Sequence, residues 1–70
     1  MEINVSQVYM IMARKNMNQS DIARKSGISR QYISTVLIRK SCTPRTLGKI
    51  AIALGVPPSE ISNMEDNINE

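Results

Sequence analysis

The feature that most constrains the fold is a set of small and aliphatic residues at fixed spacing between positions 19 and 36. Counted from Gln19, the set comprises Ala23 at +4, Gly27 at +8, Ile28 at +9, Ile33 at +14 and Val36 at +17. Because Ala23 is small, two helices can cross closely there, and Gly27 permits a sharp turn with positive φ. The isoleucines would fill the corner and anchor the next helix. The spacing therefore predicts two short helices joined by a tight turn, with the polar face of the second left free.

Capping signals predict where these two helices begin and end. Asn18 precedes the first, with Asp21 three residues later, and Gly27 follows its last turn. Ser29 comes two residues after that glycine and can cap the second helix. We therefore expect helices over residues 19–26 and 30–39.

Similar signals divide the rest of the chain. Asn4 can cap a helix that ends near Asn16, with Gln7 as the return partner of a capping box. Thr43 followed by Pro44 predicts a helix that runs to residue 54 and stops at Gly55, and Ser59 can cap a last short helix through Ile61. No segment alternates with a period of two. We predict an all-α fold, a compact bundle of about five helices in residues 1–63, with residues 64–70 as an acidic, flexible tail.

The composition excludes several classes of protein. A chain of 70 residues forms one small domain. No stretch approaches 18 apolar residues, so no membrane span is expected. A single cysteine and no histidine leave no basis for a disulfide or a zinc finger. Asp21 is the only acid in residues 3–59, so we expect no enzyme, no cofactor and no metal. A reducing cytoplasmic location fits the cysteine usage.

The positive charge is concentrated in the middle of the sequence. Residues 14–49 contain all nine basic residues and one acid, Asp21, so the segment carries a charge of +8. Residues 50–70 carry −4. A basic centre between acidic ends indicates a polyanionic partner, although a merely solvated basic face would give the same composition.

Three segments resemble a known family. They are Gln19-Ser20-Asp21-Ile22-Ala23, Gly27-Ile28-Ser29-Arg30-Gln31-Tyr32-Ile33-Ser34, and Thr46-Leu47-Gly48-Lys49-Ile50-Ala51-Ile52-Ala53-Leu54-Gly55-Val56. In this order they resemble the phage repressor and Cro-type helix-turn-helix family, also called the XRE family, over residues 5–62. The resemblance implies a lambda-repressor-like bundle that binds double-stranded operator DNA as a homodimer. The helix-turn-helix would be formed by the second and third helices.

The resemblance also implies which residues contact DNA. The third helix would enter the major groove and contact bases through Arg30, Gln31, Ser34 and Thr35. Contacts to phosphates would come from Gln19, Tyr32, Arg39, Lys40, Ser41 and Thr43. The Gln19 side chain could also brace the residue at position 30. Two alternatives stay open: Arg30 and Gln31 could contact phosphates only, and the Tyr32 ring could pack against the second helix.

The sequence departs from the family pattern at several positions. Met12 and Leu37 replace an arginine and a glutamate that many members pair in the core, so we hypothesise that the two apolar side chains touch. Ile38 and Arg39 replace the usual Asn-Gly, which puts the tight turn after the third helix in doubt. Ile52 stands where the family is usually polar.

The resemblance places the dimer interface near the end of the fourth helix. The predicted interface residues are Ile52, Val56, Pro58 and Ile61. For Ile52 the alternative is an isolated exposed hydrophobic residue, which is common in soluble proteins.

The function expected from these features is sequence-specific transcriptional regulation, most simply repression at a pseudo-palindromic operator. The basic centre and the absence of a further effector region favour a minimal Cro-type regulator of phage or mobile-element type. The alternative is an antitoxin-like or accessory protein whose main partner is another protein, with residues 64–70 as the docking segment.

Overall fold

The computed structural model describes residues 1–63 and consists there of four α-helices and one 3₁₀ helix. The α-helices are α1 (Val5–Lys15), α2 (Gln19–Ser26), α3 (Arg30–Arg39) and α4 (Pro44–Leu54), and the 3₁₀ helix is Pro58–Glu60. The all-α bundle is confirmed, with four α-helices where about five helices were predicted. The predicted acidic tail, 64–70, lies outside the described residues.

Each α-helix begins at a capping side chain. The side-chain oxygens of Asn4, Asn18, Ser29 and Thr43 accept hydrogen bonds from backbone N–H groups three residues later. Asn18 and Asp21 form a reciprocal capping box. These caps satisfy backbone donors that the first turn of a helix leaves without a partner, and all four were predicted.

The helices end at residues with left-handed backbone conformation. Gly27 has φ of 78° after α2 and Gly55 has φ of 75° after α4, as predicted. Asn16 and Lys40 adopt the same region after α1 and α3, with φ of 55° and 60°.

Two capping predictions are wrong. Gln7 does not return to Asn4, because the backbone N–H of Asn4 donates to the carbonyl of Ile61 at 2.7 Å. The Gln7 amide instead donates to the Glu60 carboxylate at 3.5 Å. Ser59 does not cap the last helix, which begins one residue earlier, at Pro58, and has no side-chain cap. Proline suits a first helical position because its φ is already fixed there.

The core is entirely aliphatic. α2 packs against both α3 and α4, and no polar or charged side chain is buried within residues 1–63. The buried residues are Ile3, Val8, Ile11, Met12, Ile22, Ile33, Val36, Leu37, Leu47, Ile50, Ala51, Ala53, Leu54 and Ile61. Met12 and Leu37 belong to this one cluster, which fits the replacement of an ion pair by apolar side chains; their direct contact stays a prediction.

Ile61 corrects the predicted dimer interface. Its side chain has an exposed fraction of 0% and forms part of the core. Since a fully buried side chain offers no surface to a second subunit, Ile61 is removed from that set. Of the other three residues, Ile52 and Pro58 are exposed and Val56 is partly buried against the core.

Residues 1–4 form an extended segment that we call the N-terminal strap. It lies between the α3–α4 connection and the segment after the 3₁₀ helix. Isolated antiparallel bridges join Glu2 to Ser41 and Ile3 to Ser62. The described residues contain no longer strand pairing, so the prediction of no sheet holds there, but the strap itself was not predicted.

None of the helices in residues 1–63 has the length and apolar character that crossing a membrane requires.

Candidate nucleic-acid interface

The first turn of α3 presents two long polar side chains to solvent. Arg30 and Gln31 are exposed, and neither side chain makes a hydrogen bond or ion pair within residues 1–63. The Ser29 cap and the αL turn at Gly27 set where this helix starts. Both side chains are therefore available to an external ligand.

Ser34 and Thr35, the other two predicted base contacts, use their hydroxyls inside the chain. The Ser34 hydroxyl donates to Gln19 Oε1 at 2.5 Å, which ties α3 to the start of α2. The Thr35 hydroxyl donates to the backbone carbonyl of Gln31 at 3.1 Å. Both residues are half-buried. The sequence had suggested that Gln19 braces the residue at position 30. In the structure its side chain instead binds Ser34.

Several predicted phosphate contacts come together around one surface groove. Tyr32, Arg39, Ser41 and Thr43 line it, together with Met1, Cys42 and Pro44. The Tyr32 side chain is 42% exposed. The groove thus joins the outer side of α3 to the start of α4.

The remaining two predicted phosphate contacts lie apart from this groove. Gln19 begins α2, and Lys40 borders a separate groove with strap residues and the start of α1.

The connection from α3 to α4 keeps a tight turn despite the absent glycine. α3 ends at Arg39, and the backbone N–H of Lys40 donates to Val36 O at 2.8 Å. Lys40 takes the left-handed conformation that glycine usually occupies, with φ of 60°. The turn therefore forms with a non-glycine residue in a strained conformation.

The basic residues divide into paired and unpaired groups. Arg24 pairs with Asp21 at 3.0 Å and Arg14 with Glu60 at 3.8 Å. The Lys15 ammonium donates to the carbonyl of Leu54 at 2.6 Å. The basic residues without such a contact in residues 1–63 are Lys25, Arg30, Arg39, Lys40, Arg45 and Lys49. Five of these six belong to α3, α4 and their connection, so unneutralised positive charge is concentrated in this part of the chain.

Two pKa values in the described region are shifted. The pKa of Asp21 is lowered, first by the hydrogen bond from the Asn18 backbone N–H and then by the Arg24 guanidinium. The pKa of the Cys42 thiol is raised by partial burial. Neither shift creates a reactive group: Asp21 serves the capping box, and a thiol with raised pKa is a weaker nucleophile at neutral pH.

Met1 is a groove residue that the sequence reasoning missed. It lines the groove beside Tyr32 because the strap runs alongside the α3–α4 connection. No local pattern in residues 1–4 signals this placement, which depends on pairing with residues about forty positions away.

The comparison with protein families agrees with this geometry. A family model described as Helix-turn-helix matches residues 8–61, which includes α2, α3 and α4 in full. The chain belongs to the XRE-type helix-turn-helix family. As a member of this family it is a DNA-binding domain of the transcription-regulator type. The strap, residues 1–4, lies outside the matched residues. No curated protein and no solved structure matches the chain.

Proposed function

We propose that this XRE-type protein is a sequence-specific repressor that binds a pseudo-palindromic operator as a homodimer. Each subunit would place α3 in the major groove, with the two recognition helices about 34 Å apart on one face of the duplex. The observation that carries the proposal is the free first turn of α3, where Arg30 and Gln31 have no partner within the described residues. Repression would follow when the dimer covers a promoter in the cytoplasm.

Base recognition is assigned mainly to these two side chains. The Arg30 guanidinium can donate two hydrogen bonds to guanine O6 and N7, and the Gln31 amide can pair with adenine N6 and N7. Ser34 and Thr35 have a smaller part, because their hydroxyl protons are already donated within the chain. Thr35 can still offer its methyl group to a thymine methyl.

Phosphate contacts are assigned to the two sides of α3. On one side, the groove brings together Tyr32, Arg39, Ser41 and Thr43. Lys40 belongs to the same turn but borders the separate groove beside the strap. On the other side, Gln19 begins α2, where free backbone N–H groups and the helix dipole favour a phosphate. These contacts would fix the orientation of α3 without reading sequence.

The dimer is assigned to the exposed end of α4 and the turn that follows. Ile52 is 77% exposed, and Gly48, one helical turn earlier, has open space above its Cα. Val56 and Pro58 follow in the next turn, with Val56 partly buried and Pro58 exposed. An aliphatic side chain beside a glycine gap suits close approach of a second copy.

The first test is selection of bound duplexes from random DNA by the purified chain at near-physiological salt. The proposal expects enrichment of a two-fold symmetric site with half-sites one helical turn apart. Binding without enrichment, with a steep loss of affinity as salt rises, would indicate phosphate contacts alone. That outcome would contradict sequence-specific repression and favour the accessory role, which a pull-down of partner proteins would then test.

Substitutions at α3 test the assignment of base contacts. Arg30→Ala and Gln31→Ala should each weaken binding to the selected site by about 1–3 kcal/mol and relax the preference at one base pair. Lys25→Ala is the matched control, since it removes an exposed, unpaired charge from the last turn of α2. If all three variants weaken every duplex equally, Arg30 and Gln31 contact phosphates only.

A further inference from the structure

We propose that the N-terminal strap is a positioning element for DNA binding: it holds the α3–α4 turn in the shape that contacts the DNA backbone. The inference rests on the function proposed above, because the turn matters only if Arg39, Lys40, Ser41 and Thr43 meet phosphates. The strap lies outside the residues that the family model matches.

The strap contacts the turn through backbone atoms. The N–H of Ile3 donates to the carbonyl of Lys40 at 3.1 Å, and the N–H of Cys42 donates to the carbonyl of Met1 at 2.9 Å. The two hydrogen bonds flank Ser41, so they fix the peptide units on both sides of a predicted phosphate contact. Side-chain substitutions in the turn would leave this restraint in place.

The turn needs such a restraint. Lys40 has a left-handed backbone conformation with φ of 60°, which residues with a Cβ adopt at a cost. Strained conformations of this kind persist where the surrounding structure holds them. The Ile3 N–H donates to the carbonyl of the strained residue itself. The strap therefore restrains the turn at its strained residue.

The opposite edge of the strap is firmly anchored. The N–H of Asn4 donates to the carbonyl of Ile61 at 2.7 Å, and the N–H of Asn63 donates to the carbonyl of Glu2 at 3.1 Å. The Ile3 side chain is 1% exposed and belongs to the core. The turn is therefore fastened to a segment that is itself fixed to the body of the domain.

A proline and an alanine variant of Ile3 distinguish the effect of its backbone hydrogen bond from the effect of its side-chain packing. Ile3→Pro and Ile3→Ala both shorten the core side chain, but only proline removes the N–H that binds Lys40. The preceding residue, Glu2, lies in an extended bridge, which is compatible with a following proline. Affinity for the selected duplex would be measured over a range of salt concentrations and corrected for the folded fraction from urea melts.

The salt dependence of DNA affinity distinguishes a positioning role of the strap from an effect on the stability of the fold. Each phosphate contact contributes about 0.9 to the slope of log K against log salt. For Ile3→Pro we expect a slope smaller by about one, and binding weakened roughly tenfold near 0.1 M salt. Ile3→Ala should keep the wild-type slope, since fewer folded molecules do not change the number of contacts per complex. Ile3→Val should match the wild type in both affinity and slope.

A second pair of variants covers the case in which Ile3→Pro does not fold. Cys42→Pro removes the N–H that donates to Met1. Cys42→Ala keeps that N–H but also replaces the thiol, which is partly buried against the core. We expect Cys42→Pro to reduce the slope of log K against log salt and Cys42→Ala to keep the wild-type slope. Asn63→Pro is the control on the far edge of the strap, where loss of the bond to Glu2 should leave the slope unchanged.

The outcomes separate the two proposals. If the wild type binds its selected duplex but the proline and alanine variants share one slope and one affinity, the strap has no positioning role and the proposed function stands. If the wild type selects no duplex, both proposals fail.

Discussion

At the scale of single residues, the core position Leu37 is apolar where the family resemblance led us to expect one half of an ion pair. Leu37 is 4% exposed, and Met12 is buried in the same cluster. An ionised carboxylate there would have no arginine opposite it. Burying a charge without its partner destabilises a fold far more than burying the complete ion pair.

Leu37→Glu should therefore destabilise the fold by about 3 kcal/mol or more. Leu37→Met is the matched control, because it nearly conserves volume and should cost less than about 1.5 kcal/mol. Urea melts followed by circular dichroism measure both. A near-neutral effect of the glutamate would mean that position 37 can reach solvent or a cation.

The sequence names candidate DNA-contact residues, which stay a prediction, but it does not give their hydrogen bonds. The spacing places Arg30, Gln31, Ser34 and Thr35 on one helix. It does not reveal that the Ser34 hydroxyl is donated to Gln19, since that pairing spans 15 residues. The structure adds that the Ser34 and Thr35 hydroxyls are already engaged, whereas the Arg30 and Gln31 side chains have no partner within the described residues.

At the scale of elements, the glycine inside α4 and the glycine that follows its last residue have opposite roles. Gly48 lies inside the helix, and an added Cβ would meet no atom within 4 Å. Gly55 ends the helix with φ of 75°, and a Cβ there would lie 2.8 Å from the Lys15 ammonium that caps Leu54.

Gly48→Ala should stabilise the protein by about 1 kcal/mol, because alanine has the higher helix propensity and no clash opposes it. Gly55→Ala should destabilise by about 1 kcal/mol, since alanine is strained at positive φ. Thermal or urea melts of both variants, at a protein concentration low enough to avoid association, provide the check. Equal shifts of the unfolding midpoint in the same direction for the two variants would contradict these opposite roles.

Helix boundaries followed from the sequence because their determinants are local. Each capping side chain and the backbone N–H that donates to it lie three residues apart, as in Asn18 and Asp21. The predicted return of the Gln7 side chain to Asn4 is wrong because the carbonyl of Ile61, 57 residues away, accepts the Asn4 N–H. The N-terminal strap was missed for the same reason: isolated bridges to residues 41 and 62 leave no alternating pattern in the sequence.

At the scale of the whole molecule, the proposed dimer depends on a surface that the monomer does not need. Ile52→Glu should leave monomer stability within about 0.5 kcal/mol, because the side chain is 77% exposed. It should weaken binding to a two-fold duplex by about 1.4 kcal/mol or more, a factor of ten.

Met10→Glu is the matched control for that substitution, since it places the same charge at a 66% exposed apolar position on α1. Sedimentation of each variant with duplex DNA would show the stoichiometry. A two-to-one complex for Ile52→Glu, with wild-type affinity, would place the subunit contact elsewhere.

The aliphatic core has a consequence for how the protein responds to acid and base. The chain contains no histidine, and residues 1–63 bury no ionisable side chain. The lowered pKa of Asp21 stabilises the fold above about pH 4, and this contribution is lost as pH falls through the folded-state value. The raised pKa of Cys42 acts oppositely: its contribution is present below about pH 8.5 and is lost as pH rises through the folded-state value. Because no histidine is present to titrate between these limits, cellular acidity is a poor signal for this domain.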